Sequence, residues 1–339
     1  MTESQCTAVI KKLKPDESCM KCDSMKIEPV LHDKYTALVE LVDAYVCQLT
    51  NKKRTSDLLR FLSTKYPLSE HPHVKRVKST KSTDNTTTVQ VVICEHSADL
   101  TCDVIKSTLT EFTDCIGCIG VVKIPSTAPL TRKQYEVATQ YWPVNFYENK
   151  IITQLLTDSY FNYDDKEIIQ QHMKEAIDMA LIAKQKQMMP VGAVIVDPVT
   201  NRVIAKCYDK RSGTHPLQHA TMVCVDLVAK SQGAGMWNYT TDDKFYNCEM
   251  KEDEINNDSK SGPYLCTGYH LYITQEPCVM CAMALVHSRI QRVYYGSKHI
   301  EGALGSKYKI HVQDGLNHHY QVFNGVLSEI CDQLWTDYG

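Results

Sequence analysis

Two cysteines three positions apart, Cys278 and Cys281, are the residues of this sequence best suited to chemistry. The proline before them, Pro277, is typical of the first turn of a helix. The positive end of a helix lowers the pKa of a thiol, and thiolates bind divalent metals. His219, which follows a polar turn and begins another helical pattern, is the expected third ligand. One histidine and two cysteines with an open fourth position predict zinc.

Two other cysteine pairs share this spacing, Cys19 with Cys22 and Cys115 with Cys118. The first pair lies in a polar stretch and the second in an apolar run, so we expect neither to bind metal. The 15 cysteines are odd in number and often lie within apolar runs, which favours reduced thiols. No apolar run approaches the length of a membrane span, and no signal peptide is expected. We therefore expect the cytoplasm and the nucleus, with no membrane contact.

The residues around these ligands alternate between strand and helix patterns. Helices are expected over residues 165–187, 219–230, 278–287 and near 325–335, and strands over 191–196, 202–207, 271–274 and 292–295. This alternation predicts a three-layer α/β/α domain over residues 160–339. Within it, residues 231–263 hold seven acidic residues against three lysines, which predicts a solvated, flexible insertion.

The first half of the chain has a mixed pattern. Residues 1–34 predict a flexible tail, and residues 35–150 predict a smaller α+β domain. Strands are expected over 38–47, 87–94 and 117–124. Helices are expected over 55–63, with Ser56 as the cap, over 101–109, and after Pro129, where a connector rich in proline and aromatic residues follows.

A basic segment in this smaller domain is a candidate RNA contact. Residues 50–81 hold nine Lys and Arg against two acidic residues, in a chain whose net charge is only −3. A solvated surface is the ordinary explanation of a charge run, but the local excess favours contact with a phosphate backbone. We expect tRNA binding by Lys75, Arg76, Lys78 and Lys81, whereas Tyr135, Tyr141 and Trp142 are expected to pack.

The stretches 191–197, 268–296 and 301–334 resemble tRNA adenosine deaminases of the cytidine and deoxycytidylate deaminase superfamily. In that family zinc is held by the histidine of a His-x-Glu sequence and by the two cysteines of a Pro-Cys-x-x-Cys sequence. The resemblance implies a zinc site at His219, Cys278 and Cys281. It also implies that Asp209 stands where bacterial relatives carry an asparagine that contacts the substrate.

One position departs from the family pattern, because His-Ala-Glu is replaced by His219-Ala220-Thr221. The family's glutamate moves a proton from the zinc-bound water to the base, and a threonine hydroxyl has no pKa suited to that task. Glu276 is no substitute, since the family carries a glutamate there as well. The chain therefore resembles the catalytically silent subunits of eukaryotic wobble-adenosine deaminases. That resemblance implies a structural zinc, tRNA, and a heterodimer with a catalytic deaminase subunit.

Two alternatives stay open on the sequence. One is an active nucleobase deaminase that uses another general base, and the other is an RNA-binding scaffold with no enzymatic partner. The fourth zinc position is also open. The last residues, 335–339, carry Asp337 and the terminal carboxylate, and we hypothesise that they cover the pocket.

Overall fold

The computed structural model describes residues 25–81, 87–213, 215–248 and 264–336. The chain forms two compact units, one made of Asp33–Gln154 and the other of the described parts of Met1–His32 and Leu155–Gly339. The first unit is thus inserted into the sequence of the second. None of the helices in these described ranges is both long enough and apolar enough to cross a membrane.

The inserted unit is a four-stranded antiparallel sheet with helices. Strand β1 (Glu28–Pro29) precedes it, and its own elements are β2 (Leu41–Leu49), α1 (Thr55–Lys65), β3 (Val77–Lys81), β4 (Thr87–Glu95), α2 (Cys102–Thr108), β5 (Ile116–Pro125) and α3 (Arg132–Tyr141), followed by the connecting helix α4 (Lys150–Leu156). The strand order is β3-β4-β2-β5. A β-α-β-β-α-β succession with this order is the split βαβ arrangement of ferredoxin-like folds.

Alternating residues of β2 face two apolar layers. Tyr45 and Cys47 pack with Leu58 and Leu62 of α1 on one face of the sheet. Ala44 and Val46 of the same strand pack with Ala138 of α3 and the buried Trp142 on the other face. Both faces of this sheet are therefore covered, which confirms the α+β prediction.

One local prediction in this unit is wrong, and two elements were not predicted. Ser56 does not cap α1, because the chain enters that helix through a 3-10 turn, Lys52–Arg54, whose cap is the Asn51 side chain. Strand β3 lies within the basic segment, where lysines hide the strand pattern although they are common on edge strands. Helix α4 begins where a connector was expected.

The larger unit is built on a seven-stranded sheet. Its further elements are α5 (Tyr163–Gln185), β6 (Gly192–Asp197), β7 (Arg202–Tyr208), α6 (Ala220–Ser231), β8 (Tyr246–Asn247), β9 (His270–Gln275), α7 (Val279–His287), β10 (Arg292–Ser297), β11 (Gln321–Asn324) and α8 (Ser328–Gln333). The strand order is β1-β11-β10-β9-β6-β7-β8. Strands β9, β10 and β11 are parallel, and the other pairs are antiparallel.

Helices cover both faces of this sheet. On one face, Leu271 and Ile273 of β9 pack with residues of α6 and α7. On the other face, Tyr272, Tyr294 and Phe323 lie in register on three parallel strands and stack with ring centroids 4.8 and 5.2 Å apart. His172 of α5 contacts the Tyr272 ring. The predicted three-layer α/β/α fold is confirmed.

The predicted flexible tail of residues 1–34 is wrong where the structure describes it. Strand β1 pairs with β11 at the edge of the large sheet, and Ile27 and Val30 are buried. The Val30 carbonyl accepts a hydrogen bond from Nε2 of His311 at 2.8 Å. A two-residue strand that pairs with a segment near the other end of the chain leaves no periodic pattern, so the sequence could not indicate it.

The acidic insertion, residues 231–263, is also more ordered than predicted. Its first part adds the edge strand β8, and Trp237, Tyr239 and Phe245 pack against the core. Asp243 is buried and accepts hydrogen bonds from Lys210 Nζ at 2.9 Å. The aromatic residues among the charges provide the burial that a solvated loop lacks. Residues 249–263 lie outside the described residues.

The buried segment before the inserted unit can be tested with one matched pair of substitutions. Ile27 is 4% exposed and Ile300 is 84% exposed. Ile27→Ala should lower the free energy of unfolding of the larger unit by about 2–5 kcal/mol, because it leaves a cavity. Ile300→Ala should change it by less than about 0.5 kcal/mol. Urea denaturation measures both, and equal small effects would mean that the segment is not part of the core.

Candidate metal centre

The three side chains predicted as zinc ligands lie together in the larger unit. The Sγ atoms of Cys278 and Cys281 are each 3.6 Å from Nδ1 of His219, and the three atoms all lie within 4.8 Å of one another. With Zn–S near 2.3 Å and Zn–N near 2.0 Å, a tetrahedral ion separates sulfur from nitrogen by about 3.5 Å. The donor types and spacings therefore fit zinc. Among the described residues this is the one group with metal-ligating geometry, and it does not include Cys115 or Cys118.

The ligands are positioned by two helix starts. His219 is the N-cap residue of α6, and Cys278 is the N-cap residue of α7. Neither side chain makes the hydrogen bond that an N-cap side chain usually makes to its own helix. Both side chains therefore stay available for a metal. The positive ends of the two helices also favour thiolate over thiol.

Hydrogen bonding within the site gives the two thiols different pKa values. A hydrogen bond with Cys281 lowers the pKa of Cys278 to about 3 against the opposing effect of burial, and His219 lowers it further. The same hydrogen bond, together with burial, raises the pKa of Cys281 well above its usual value. The two sulfur atoms thus share one proton, and a divalent metal that binds both would displace that proton.

Thr221 occupies the position of the family's catalytic glutamate, two residues after His219 in α6. It is 1% exposed, and its hydroxyl has no ordinary hydrogen-bond partner among the described residues. That hydroxyl faces the sulfur of Cys281 and favours its thiolate. The side chain is therefore oriented toward the metal centre, but it carries no group that could relay a proton near neutral pH.

Two carboxylates line the cavity, and the first is Asp209. Its residue is completely buried, and its oxygens accept hydrogen bonds from four groups: the Arg211 backbone N–H at 3.0 Å, Arg211 Nε at 2.9 Å, Arg211 Nη2 at 2.6 Å and the Ala220 N–H at 3.1 Å. The carboxylate is thus committed to Arg211 and to the start of α6. Sequence reasoning marked Asp209 but missed Arg211, because only the turn between them brings the two side chains together.

The second carboxylate is Glu276, which holds the loop after β10. It accepts hydrogen bonds from the backbone N–H groups of His299, Leu304 and Ser306 at 3.2, 2.9 and 3.0 Å, and from the Ser306 hydroxyl. A Cβ atom at Gly302 would lie 2.1 Å from the carboxyl carbon, so only glycine allows this approach. Glu276 is therefore a loop anchor rather than a replacement base.

The cavity at the metal centre is small. Its volume is about 30 Å³, and it is lined by the three ligand residues, Thr221, both carboxylates, Arg211 and His299, among others. A buried water needs about 10–15 Å³ by this kind of measure, so roughly two water molecules fit. Nδ1 of His299 accepts the Glu301 N–H at 3.2 Å, which engages the atom that could act as a base. This arrangement does not support an active deaminase with another general base.

The four residues predicted to bind RNA differ in their surroundings. Arg76 donates to the carbonyls of Tyr66 and Ile93 at 2.8 and 3.3 Å, and burial lowers its pKa. Nζ of Lys78 donates to the Tyr141 carbonyl at 2.9 Å and lies over the Trp142 ring. Lys75 and Lys81 are exposed, with no side-chain partner among the described residues. RNA contact stays a prediction, and these two lysines are its better candidates.

Two sequence families match the chain. Residues 166–297 match the family model described as the cytidine and deoxycytidylate deaminase zinc-binding region. Residues 42–142 match the model described as the tRNA-specific adenosine deaminase TAD3 N-terminal domain. The first match covers the strands and helices that carry His219, Cys278 and Cys281, and the second lies within the inserted unit.

Several full-length relatives are also similar. The chain is 42% identical over 322 residues to the probable inactive tRNA-specific adenosine deaminase-like protein 3 of Danio rerio, covering 92% of this chain and 95% of the relative. The Homo sapiens protein of the same name is 38% identical over 324 residues, with 91% of each chain covered. The tRNA-specific adenosine deaminase subunit tad3 of Schizosaccharomyces pombe is 26% identical, covering 84% of this chain and 79% of that one.

Proposed function

The chain belongs to the family of probable inactive tRNA-specific adenosine deaminase-like protein 3, and on that premise we propose how it acts. It is a non-catalytic subunit with a deaminase zinc-binding domain. We propose that it forms a heterodimer with a catalytic subunit of the same superfamily. The pair would convert adenosine to inosine at the tRNA wobble position, and this chain would contribute tRNA contacts and structural support.

The observation that carries this proposal is that the described part of the cavity holds no carboxylate free to relay a proton, and that Nδ1 of His299 is engaged by the Glu301 N–H. Thr221 stands where the glutamate is needed, and both carboxylates that line the cavity are held by other groups. A general base must reach the proton that it removes and must have a pKa near the working pH. The site keeps the ligand geometry of the deaminase fold but not its acid–base chemistry.

The metal, in this proposal, is a structural zinc bound by His219, Cys278 and Cys281. When bound, zinc supplies a positive charge that neutralises the two thiolates and links the starts of α6 and α7. Asp209 and Glu276 support this arrangement from outside the ligand set, since one holds the start of α6 and the other holds the loop beside Pro277. The hypothesis that the last residues cover the pocket concerns Asp337 and the terminal carboxylate, which lie outside the described residues.

We further propose that the inserted unit contacts tRNA through Lys75 and Lys81. Its ferredoxin-like sheet has helices α1 and α2 on one face, whereas α3 packs on part of the other face and leaves Gln48, Cys118 and Gly120 exposed. The exposed Lys81 lies on the edge strand β3 and the exposed Lys75 just before it, and contact between these lysines and phosphates would be insensitive to sequence. The cytoplasm and the nucleus stay the expected locations.

The central test separates the two subunits' contributions. Thr221→Ala should leave inosine formation by the assembled complex nearly unchanged, because the threonine moves no proton. Replacing the catalytic glutamate of the other subunit by alanine should reduce the rate by about 10²–10⁴-fold or more. Both complexes are assayed for inosine on one tRNA, with zinc content and assembly measured in parallel. Loss of activity with Thr221→Ala in an intact, zinc-loaded complex would contradict the proposal.

Metal analysis tests the ligand set. The purified chain should contain about one zinc, and Cys281→Ala should lose both the metal and much of the soluble protein, because the metal contributes folding energy directly. Cys266→Ala is the matched control, since Cys266 is also buried but lies outside the ligand set. Stable wild-type protein without zinc, or equal zinc content in the two variants, would exclude this site.

Charge reversal tests the tRNA contact. The double variant Lys75→Glu and Lys81→Glu should weaken tRNA binding and reduce the slope of log affinity against log salt by about 1 for each lost phosphate contact. The control is Lys106→Glu with Lys123→Glu, exposed lysines of the same unit that pair with Asp103 and Asp43. Fluorescence anisotropy over a salt series measures both. An equal slope for the two double variants would show that Lys75 and Lys81 belong to a solvated face.

A further inference from the structure

Arg211 lines the cavity of the metal centre together with Thr221 and the ligand residues, although it is not itself a metal ligand. Its side chain is 29% exposed, so it lies between the cavity and the solvent. Nε and Nη2 of Arg211 bind the two oxygens of Asp209 as a fork, at 2.9 and 2.6 Å. The backbone N–H of Arg211 binds the same carboxylate, so the turn itself is closed.

We propose that Arg211, held by Asp209, fills the space of the nucleobase and is the residue that keeps this subunit from taking a base. The inference rests on the proposed function in one respect, which is that the cavity corresponds to the base pocket of the deaminase fold. It adds a second reason for the chain's inactivity, independent of Thr221. The chemical class that it excludes is a purine nucleoside.

Two features hold the arginine in place. Its bond to the carboxylate is bidentate and charge-assisted, which is the strongest kind of side-chain hydrogen bonding in proteins. Although burial alone would lower its pKa, the hydrogen bond and charge of Asp209 raise the pKa of Arg211 above its ordinary value. The guanidinium therefore stays paired with the Asp209 carboxylate.

The cavity volume agrees with this role. About 30 Å³ remains beside the arginine, far below the roughly 300–1,000 Å³ of ordinary ligand pockets. A purine ring could enter only if the Arg211 side chain moved out. That movement would leave the buried Asp209 carboxylate without two of its four donors, which is costly for a charged group. The ion pair thus resists opening.

Asp209 also stabilises the start of α6, and the test must distinguish this effect from its ion pair with Arg211. One of its oxygens accepts the N–H of Ala220, the first residue of α6, so the carboxylate also caps the helix that begins at His219. An asparagine at position 209 keeps one oxygen for that N–H, but its amide nitrogen would face the donors of the guanidinium. Asp209→Asn should therefore release Arg211 while the start of α6 is retained.

Photolabelling with 8-azidoadenosine tests the proposal on the full-length chain, co-expressed with its catalytic subunit. Labelled peptides are assigned by mass spectrometry, so labelling of this chain is distinguished from labelling of the other subunit. Wild type and Thr221→Glu should show only background label on this chain. Arg211→Ala and Asp209→Asn should each raise that label about tenfold or more, which corresponds to 1.4 kcal/mol. Arg202→Ala, at an exposed arginine of the same unit, should leave it at background.

Zinc content and assembly are measured for each variant, and Arg211→Gln replaces Arg211→Ala if that protein does not fold. Equal label on wild type and the Arg211 variant would overturn the proposal. So would background label on both the Arg211 and the Asp209 variants with zinc retained. Neither result depends on inosine formation. If Thr221→Ala leaves inosine formation by the complex nearly unchanged, the proposed function stands even though this inference fails.

Discussion

The larger unit depends on two helices that begin at residues whose side chains do not cap them. A helix start leaves several N–H groups without partners, and the N-cap side chain usually accepts one of them. At α6 and α7 those side chains are His219 and Cys278, which face each other instead. The N–H groups at these helix starts therefore need acceptors from other parts of the chain. At α6 this acceptor is Asp209, whose carboxylate binds the first N–H of the helix.

Both carboxylates near the metal centre have become parts of the framework. Asp209 joins the turn after β7 to the start of α6, and Glu276 joins the end of β9 to the loop that contains Gly302. In each case a buried charge is matched by several donors, which is the condition for burying it without a large cost. A silent deaminase site of this kind is therefore a well-stabilised structure. It is not an active site that has simply lost one residue.

The sequence predicted the chemistry of the site better than its surroundings. The spacing of Cys278 and Cys281, and the replacement at Thr221, are local facts, and the three-layer fold follows from alternating strand and helix patterns. Arg211 could not be found in this way, because its role depends on a turn that closes on Asp209. Strand β3 was hidden by its lysines, and β1 by its length. The order in residues 231–248 depends on aromatic packing that charge counting does not detect.

The position of β1 has a consequence for how the chain is made. Glu28 pairs with Asn324, and about 300 residues lie between them in the sequence. At the usual 5–20 residues per second, the ribosome needs roughly 15–60 s to synthesise that interval. During that time the inserted unit, which is compact, can fold, while Ile27 and Val30 are without the partner strand β11. Ile27 and Val30 thus lack their buried surroundings for most of translation, and a nascent-chain chaperone would have reason to protect them.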